Sequence, residues 1–390
     1  MKTSLQAINF NIFAFTGIFF KFFSIYLKDK GLDANEISYI FVTIPLTHIF
    51  ITFSIGYFAN KFSLKEKLLR LLSLISFLIS IFYILIDYLF DEIFFGILMV
   101  TIILSLFRTP IIALVESTTF EHIMKKGGDY GKIRLWGSVG FIFGTVIMGF
   151  LLDFMPIETT LYGVSFFLLL SYLSSIKIPV KVAKRTDIKL NEIFNLMKNK
   201  ELLVFFLVSF IYILAFAGYH SFFGLYITDK TDGLGYDKSI VGYCTVASVL
   251  SEVILLNYSQ KILSLYPPFR LLSFTLFITT IRWFILALFN DLATILISQT
   301  IHAFSWGLFY VTSVSYVNYY FKDRLRTSGI TIYFTIVFGI GNALGFFLAG
   351  VVSQHFGFIT LFFYCSFLTL LSFIISLYLS RMENFSFRLK

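Results

Sequence analysis

The sequence predicts an all-α membrane protein of twelve transmembrane helices built as two six-helix parallel repeats, and three observations carry that prediction. The 390 residues are 58% hydrophobic and only 14% charged, where ordinary soluble domains carry about a quarter charged residues; the mean hydropathy is +0.86. Apolar runs of about 20 residues, the length that crosses a hydrocarbon core, follow one another along the whole chain. Two residue patterns also recur about half a chain apart. This composition excludes a collagen, a coiled coil, a disordered chain and a secreted disulfide scaffold. The runs are continuous rather than alternating in polarity, which argues against a β-barrel.

The spans are justified in order by the breaks between them. The first, 5–27, follows Lys2 and has no small-residue cleavage pattern after it, so it reads as a retained helix rather than a signal peptide. Lys28 and Lys30 separate it from 37–59, and Lys61, Lys65, Lys67 and Arg70 mark the turn into 68–87. Asp87, Asp91 and Glu92 precede 93–116; Lys125, Lys126 and Lys132 precede 133–152; Asp153 and Glu158 precede 159–177. A hydrophilic stretch, 178–200, leads to 201–227, and Lys230 and Lys238 lead to 239–258. Lys261 and Arg270 come before 271–289, Asp291 before 292–317, and Lys322, Arg324 and Arg326 before 328–353; the last span is 358–380.

Counting basic residues loop by loop gives the orientation. Of 31 lysines and arginines, 24 fall on the side that holds both termini, four on the other side, and three, Lys21, Arg108 and Arg282, inside spans. The positive-inside rule then makes both termini cytoplasmic in a multi-pass protein of the cytoplasmic (inner) membrane. The formal charge of +9 is a basic collar facing an anionic lipid leaflet, not a nucleic-acid footprint. The stretch 178–200 near the middle divides the chain into an N-terminal six-helix bundle, 1–177, a cytoplasmic linker, and a C-terminal bundle, 201–390.

Repetition supports that division. Phe22, Phe23, Ile25, Tyr26, Leu27, Asp29 and Lys30 reappear 200 residues on as Phe222, Phe223, Leu225, Tyr226, Ile227, Asp229 and Lys230. Gly140, Gly144 and Gly149 reappear 201 residues on as Gly341, Gly345 and Gly350. Each set contains a Gly-x-x-x-Gly pair, which lets two helices approach closely in lipid. Six-helix parallel repeats are an architecture of transporters that alternate access to a midplane site.

Three segments resemble a known family. Gly56-Tyr-Phe-Ala-Asn60-Lys61-Phe-Ser63-Leu64-Lys65 resembles the loop signature of the major facilitator superfamily, with Asn60, Ser63 and Leu64 replacing its Asp, Gly and a basic residue. Tyr130-Gly-Lys-Ile-Arg134-Leu-Trp136-Gly-Ser-Val-Gly140 and Gln299-Thr-Ile-His302-Ala-Phe-Ser-Trp306-Gly307 resemble the proton-symporter branch that includes the 3-phenylpropionate and lactose permeases. The resemblance spans essentially the whole chain. It implies that Glu116 and Arg134 contact substrate from the N-terminal half and that Phe141 stands where an aromatic residue stacks on the solute. Departures at Ser305, where the branch has an acid, and at Phe141, where it has Trp, put a galactoside substrate in doubt.

The polar residues inside the spans can be weighed without the resemblance. A charge at the bilayer centre costs about 2.5–3.5 kcal/mol even on lenient scales, so it must pair or face an aqueous cavity. Glu252 shares a helical face with Thr245 and Ser248, and Arg282 shares one with Thr275 and Thr279; such stripes line cavities. A desolvated Glu can hold a proton near neutrality, whereas Arg keeps its charge. Glu252, Arg282 and His302 are therefore the expected proton-coupling residues; the resemblance implies Glu116, Arg134 and Phe141 as substrate-binding residues, and Arg108, a charge inside a span, completes that set. The competing readings are an interfacial Arg134 paired with a loop acid, and a Glu252–Arg282 pair fixing helix register. Arg108, two residues before the helix-kinking Pro110, and Lys21 could each attract a carboxylate substrate, with snorkelling to the outer interface the favoured reading of Lys21. His48, His220, Cys244 and Cys365 lack the companions of a metal site, so no metal or cofactor is expected.

No nucleotide-binding loop is present, which leaves ion-driven or solute-driven transport. The expectation is a secondary active transporter and not an enzyme: a monomeric, proton-coupled importer of a sugar, a nucleoside or an aromatic carboxylate. Its partners are the small-molecule substrate, protons and membrane lipid, with no nucleic acid. The alternatives are an efflux pump of the same fold and a membrane-embedded transferase.

Overall fold

The computed structural model describes residues 2–61, 65–126, 130–178, 199–321 and 326–381, and these are helical with no strand among them. The helices are α1 (Lys2–Asp29), α2 (Ala34–Lys61), α3 (Lys65–Ile84), α4 (Ile86–Leu89), α5 (Ile93–Lys126), α6 (Tyr130–Leu152), α7 (Thr159–Ile176), α8 (Lys200–Thr228), α9 (Lys238–Leu265), α10 (Pro268–Leu288), α11 (Leu292–Thr300), α12 (Leu308–Tyr320), α13 (Arg326–Tyr333) and α14 (Gly341–Arg381). Among the described residues, eleven segments are long and apolar enough to cross a membrane. One of them, Gly329–Leu377, contains the break at Gly357, where φ is +77°, and so makes two crossings. That completes twelve.

Several helices outrun their predicted spans, because the apolar run ends with the hydrocarbon while the backbone ladder continues into the polar region. α5 continues ten residues past the predicted end at 116. The predicted tenth span is not one regular helix: a π-helical turn, Ala303–Gly307, joins α11 to α12. A second, Phe334–Ile340, joins α13 to α14. Such turns insert a residue into the helical ladder and re-aim the side chains around them. Of the predicted linker 178–200, only the ends fall among the described residues, and the side chains of the Gly56–Lys65 motif lie outside them.

The chain divides into two compact units. The first comprises Met1–Arg185 with Phe223–Thr231 and Gly235–Gly242; the second comprises Thr186–Phe222, Asp232–Leu234 and Tyr243–Lys390. In the first, α1 packs along α6 and α7, α2 along α5, and α3 against α5 and α7. The α1–α6 contact is backbone-close: a methyl group on Gly144 would sit 2.6 Å from the Ala14 carbonyl oxygen, and one on Gly140 would overlap the Phe10 carbonyl. In the second unit, α10 packs on α14 and α12, and Gly345 faces the Leu214 carbonyl of α8 at 2.5 Å from the position of a methyl. The Gly-x-x-x-Gly reading holds fully for Gly140 and Gly144. In the second set it holds at Gly345 only, since Gly341 meets nothing nearer than 3.4 Å.

Large apolar side chains such as Phe95, Phe143, Phe150, Ile254 and Phe367 are exposed. In a soluble protein that would be an aggregation hazard; on a polytopic bundle it is the surface that meets lipid.

Candidate functional site

Two polar clusters lie within the bundles, one in each unit. In the first unit, Glu116 of α5 and Arg134 of α6 meet, with Arg134 Nε 3.7 Å from Glu116 Oε1, and both are partly exposed. The flanking residues fix this geometry: Leu114, Val115 and Ile133 belong to an apolar core shared with Leu5, Ile8 and Ile12 of α1. The guanidinium lies 4.0 Å over the ring of Phe13. Arg134 thus has an intramembrane acid and an aromatic face for partners, in place of the loop acid considered from sequence. Phe141, two turns along α6, is half-buried, and its carbonyl accepts the Thr145 hydroxyl at 2.7 Å.

Arg108 stands on its own branch of this unit. Its Nη2 donates to Thr16 Oγ1 at 2.6 Å, and its guanidinium carbon sits 4.4 Å over the Phe15 ring. Thr16 gives its own proton to the Ile12 carbonyl at 2.8 Å, which aims a lone pair at the arginine. Pro110 lies inside the same helix, as the sequence indicates. Lys21 does not snorkel: it is 6% exposed, with Nζ 5.2 Å over Phe223, a residue that clusters with this unit.

In the second unit, Glu252 of α9 and His302, the residue before the π-helical turn, approach to 3.8 Å between Oε2 and Nε2. Gly307 at the end of that turn makes the approach possible, because a methyl there would lie 3.0 Å from Glu252 Cγ. The His302 ring lies parallel to Trp306, 7° apart. Arg282, fully buried, does not take Glu252 as its hydrogen-bond partner. Its Nε donates to the Ser298 carbonyl at 3.1 Å, Nη1 to Ser305 Oγ at 3.3 Å, and Nη2 to Gln299 Oε1 at 2.9 Å. The rings of Tyr219 and Trp283 each lie 4.6 Å from its guanidinium carbon. Aromatic faces and neutral acceptors therefore hold a permanent charge in the bilayer.

Sequence reasoning did not single out Gln299 as a partner of Arg282. Its Oε1 accepts from Arg282 and also from the Tyr219 hydroxyl at 2.8 Å, and its Nε2 donates to Ser298 Oγ at 3.0 Å. Tyr212, whose hydroxyl donates to the Ser305 carbonyl, was missed as well. A usable signal was present: Gln299, His302 and Trp306 follow a spacing of three and four, which puts them on one helical face. Among the described residues, no group of three or more His, Cys, Asp or Glu could hold a metal ion.

Twelve apolar crossings with polar clusters built inside each bundle define a polytopic membrane protein of the transporter class. Residues 2–364 match the MFS_1 like family, and the chain belongs to it. Among curated relatives, the maltose permease of Geobacillus stearothermophilus is 23% identical over 256 residues, 65% of this chain and 63% of that protein, so the match spans less than two thirds of the relative. The probable 3-phenylpropionic acid transporter of Escherichia coli (strain K12) is 24% identical over 360 residues, covering 89% of this chain and 90% of the other. Among solved structures, the nucleoside transporter NupG (D323A mutant) superposes with a TM-score of 0.85 at 15% identity, covering 97% of this chain and 99% of that one. That last likeness establishes the fold.

Proposed function

We propose that the protein is a proton-coupled symporter that imports a small organic solute across the cytoplasmic (inner) membrane by alternating access. It acts as a monomer with both termini cytoplasmic and with bundles 1–177 and 201–390 joined by the linker 178–200. The observation that carries the reading is the Glu252–His302 approach of 3.8 Å. Glu252 lies about 20 Å from either end of a 28-residue helix, near the bilayer midplane. A carboxylate and an imidazole in contact at that depth can share or pass one proton, and little else there titrates near neutrality.

In this reading Glu252 takes the proton, His302 relays it, and Arg282 is the fixed counter-charge that makes the deprotonated carboxylate tolerable. Glu116, Arg134, Phe141 and Arg108 contact the solute. Membership of a transporter family supports the class. The names of relatives, a maltose permease, a probable 3-phenylpropionic acid transporter and a nucleoside transporter, support a solute among sugars, nucleosides and aromatic carboxylates.

Uptake of radiolabelled maltose, uridine and 3-phenylpropionate by cells expressing the protein, with and without a protonophore, tests it. The expected outcome is accumulation of one class that collapses when the protonophore is added, and a Glu252→Gln variant that exchanges the solute but no longer concentrates it. Full concentrative uptake by Glu252→Gln would remove Glu252 from the mechanism.

A further inference from the structure

Arg134, near one end of its span, and Arg282 and Arg108, inside theirs, are not equivalent. Arg134 is neutralised by Glu116. Arg282 has Nε, Nη1 and Nη2 each engaged and is covered by two rings. Arg108 makes one hydrogen bond, to Thr16, and no ion pair with an acid among the described residues. Glu116, on the same helix, is eight residues away, about 12 Å along the axis, and is already paired with Arg134. Arg108 sits about 22 Å from the start of α5, deep in the crossing.

Arg cannot discharge itself by losing its proton. A guanidinium has five N–H donors in a planar fork, and one of the five is spent here. Its other donors are left for a ligand. The surroundings suit one chemistry: Arg108 lines a narrow cleft, with room for a group about the size of a water molecule, together with Phe15, Phe19, Phe20, Ser105 and Thr109. Phe15 and Phe19 stack on one another, 5.5 Å between centroids and 19° apart, and with half-buried Phe20 they form an aromatic wall beside the cation. The Thr16 bond fixes the fork's orientation, since Thr16 is itself held by the Ile12 carbonyl. A preset fork next to an aromatic wall is a receptor for a carboxylate attached to an apolar or aromatic body.

We infer that Arg108, oriented by Thr16 and flanked by Phe15, Phe19 and Phe20, is a carboxylate subsite, and that the imported solute is an aromatic or similarly apolar monocarboxylate. This rests on the importer reading above and narrows its substrate class. Ser105, three residues before Arg108, and Thr109, the residue after it, line the same cleft and carry hydroxyls that can donate to the same carboxylate. A sugar or nucleoside would leave the cation without a counter-charge in the bilayer, at the cost that intramembrane charges carry.

The test uses the full-length protein in lipid nanodiscs and three probes: 3-phenylpropionate, its neutral analogue 3-phenylpropanamide, and maltose, titrated by calorimetry at pH 7. Wild type is expected to bind the acid about tenfold or more tighter than the amide, as a charge-assisted bidentate contact gives. Arg108→Gln should lower the acid to the affinity of the amide and leave the amide unchanged. Thr16→Ala, which keeps the charge and removes only its orientation, should weaken acid binding by severalfold and spare the amide; it keeps the inference testable should Arg108→Gln not fold. Equal binding of acid and amide by wild type, wild-type acid affinity in either variant, or binding of maltose alone would overturn the assignment. The two proposals fail separately. Acid binding lost with Arg108 but accumulation insensitive to a protonophore would remove proton coupling and leave the subsite; protonophore-sensitive accumulation of maltose or uridine would do the reverse.

Discussion

Replacing Gln299 by Leu should destabilise the second unit out of proportion to the change in volume. Gln299 Oε1 is the shared acceptor for Arg282 Nη2 at 2.9 Å and the Tyr219 hydroxyl at 2.8 Å, so one substitution orphans a donor on α10 and another on α8. A hydrogen bond to a charged group contributes about 1.5–3 kcal/mol and a neutral one about 0.5–1.5 kcal/mol in soluble proteins. Interhelical bonds in membranes average only ~0.6 kcal/mol, because the dissociated helices find other partners. The guanidinium is the exception to that discount, since Arg282 is fully buried and cannot reach water. Taking the lower half of the soluble ranges gives an expected loss of about 2–3 kcal/mol. Gln299→Glu keeps the acceptor in place and should stay within about 1 kcal/mol of wild type. Reversible unfolding in mixed detergent–lipid micelles, followed by tryptophan fluorescence, measures both. A Gln299→Leu variant within about 0.5 kcal/mol of wild type would mean that Tyr219 and Trp283 alone hold the cation, and the network argument would fail.

Two further predictions concern the scaffold. Gly144→Ala should lower the melting temperature of the purified protein, because its methyl would press on the Ala14 carbonyl at 2.6 Å, whereas Gly341→Ala, with its nearest neighbour at 3.4 Å, should not; equal effects of the two would refute the close-approach reading, with overpacking costing about 1–3 kcal/mol. Asp291 caps α11 by accepting the Thr294 N–H at 2.9 Å, and that bond holds its carboxyl below the usual carboxylate range. A depressed pKa gives a contribution that is present above the unfolded-state value, about 3.9, and is lost as pH falls through the folded-state value. Hydrogen exchange of the first turn of α11, corrected for the intrinsic pH dependence, should therefore lose protection below about pH 4 in wild type and at pH 6 already in Asp291→Ala. Unchanged protection in that variant at pH 6 would contradict the cap.

The fold was legible because the bilayer imposes one rule on every span, a long apolar run ended by charge, and that rule needs no knowledge of tertiary contacts. What the bilayer does not constrain was not legible. The extension of α5 to Lys126 lies beyond the predicted apolar run, where hydropathy says nothing about whether a helix continues. The π-helical turn at Ala303–Gly307 uses the same small and aromatic residues as a regular helix, so composition cannot announce it. Within the clusters, sequence reasoning followed formal charge and so found Arg282 and Glu252 and then considered them as a pair. In the structure Glu252 meets His302, and Arg282 is held by an amide, hydroxyls, a carbonyl and rings. Gln299 escaped notice because a neutral amide carries no insertion penalty large enough to demand an explanation. The difference between Arg108 and Arg134 was equally hidden, since only coordinates reveal that one has an acid beside it and the other an alcohol.

The central claim is that solute movement is tied to a proton held at Glu252 and His302. The most direct measurement reconstitutes the purified protein into liposomes loaded with a pH-sensitive dye, with no imposed gradient, and adds an inward gradient of 3-phenylpropionate, maltose or uridine in turn, each corrected for protein-free liposomes. The account predicts that the transported solute acidifies the lumen in wild type and that Glu252→Gln moves the solute without moving protons. Solute entry in wild type with no accompanying change in lumenal pH would contradict it.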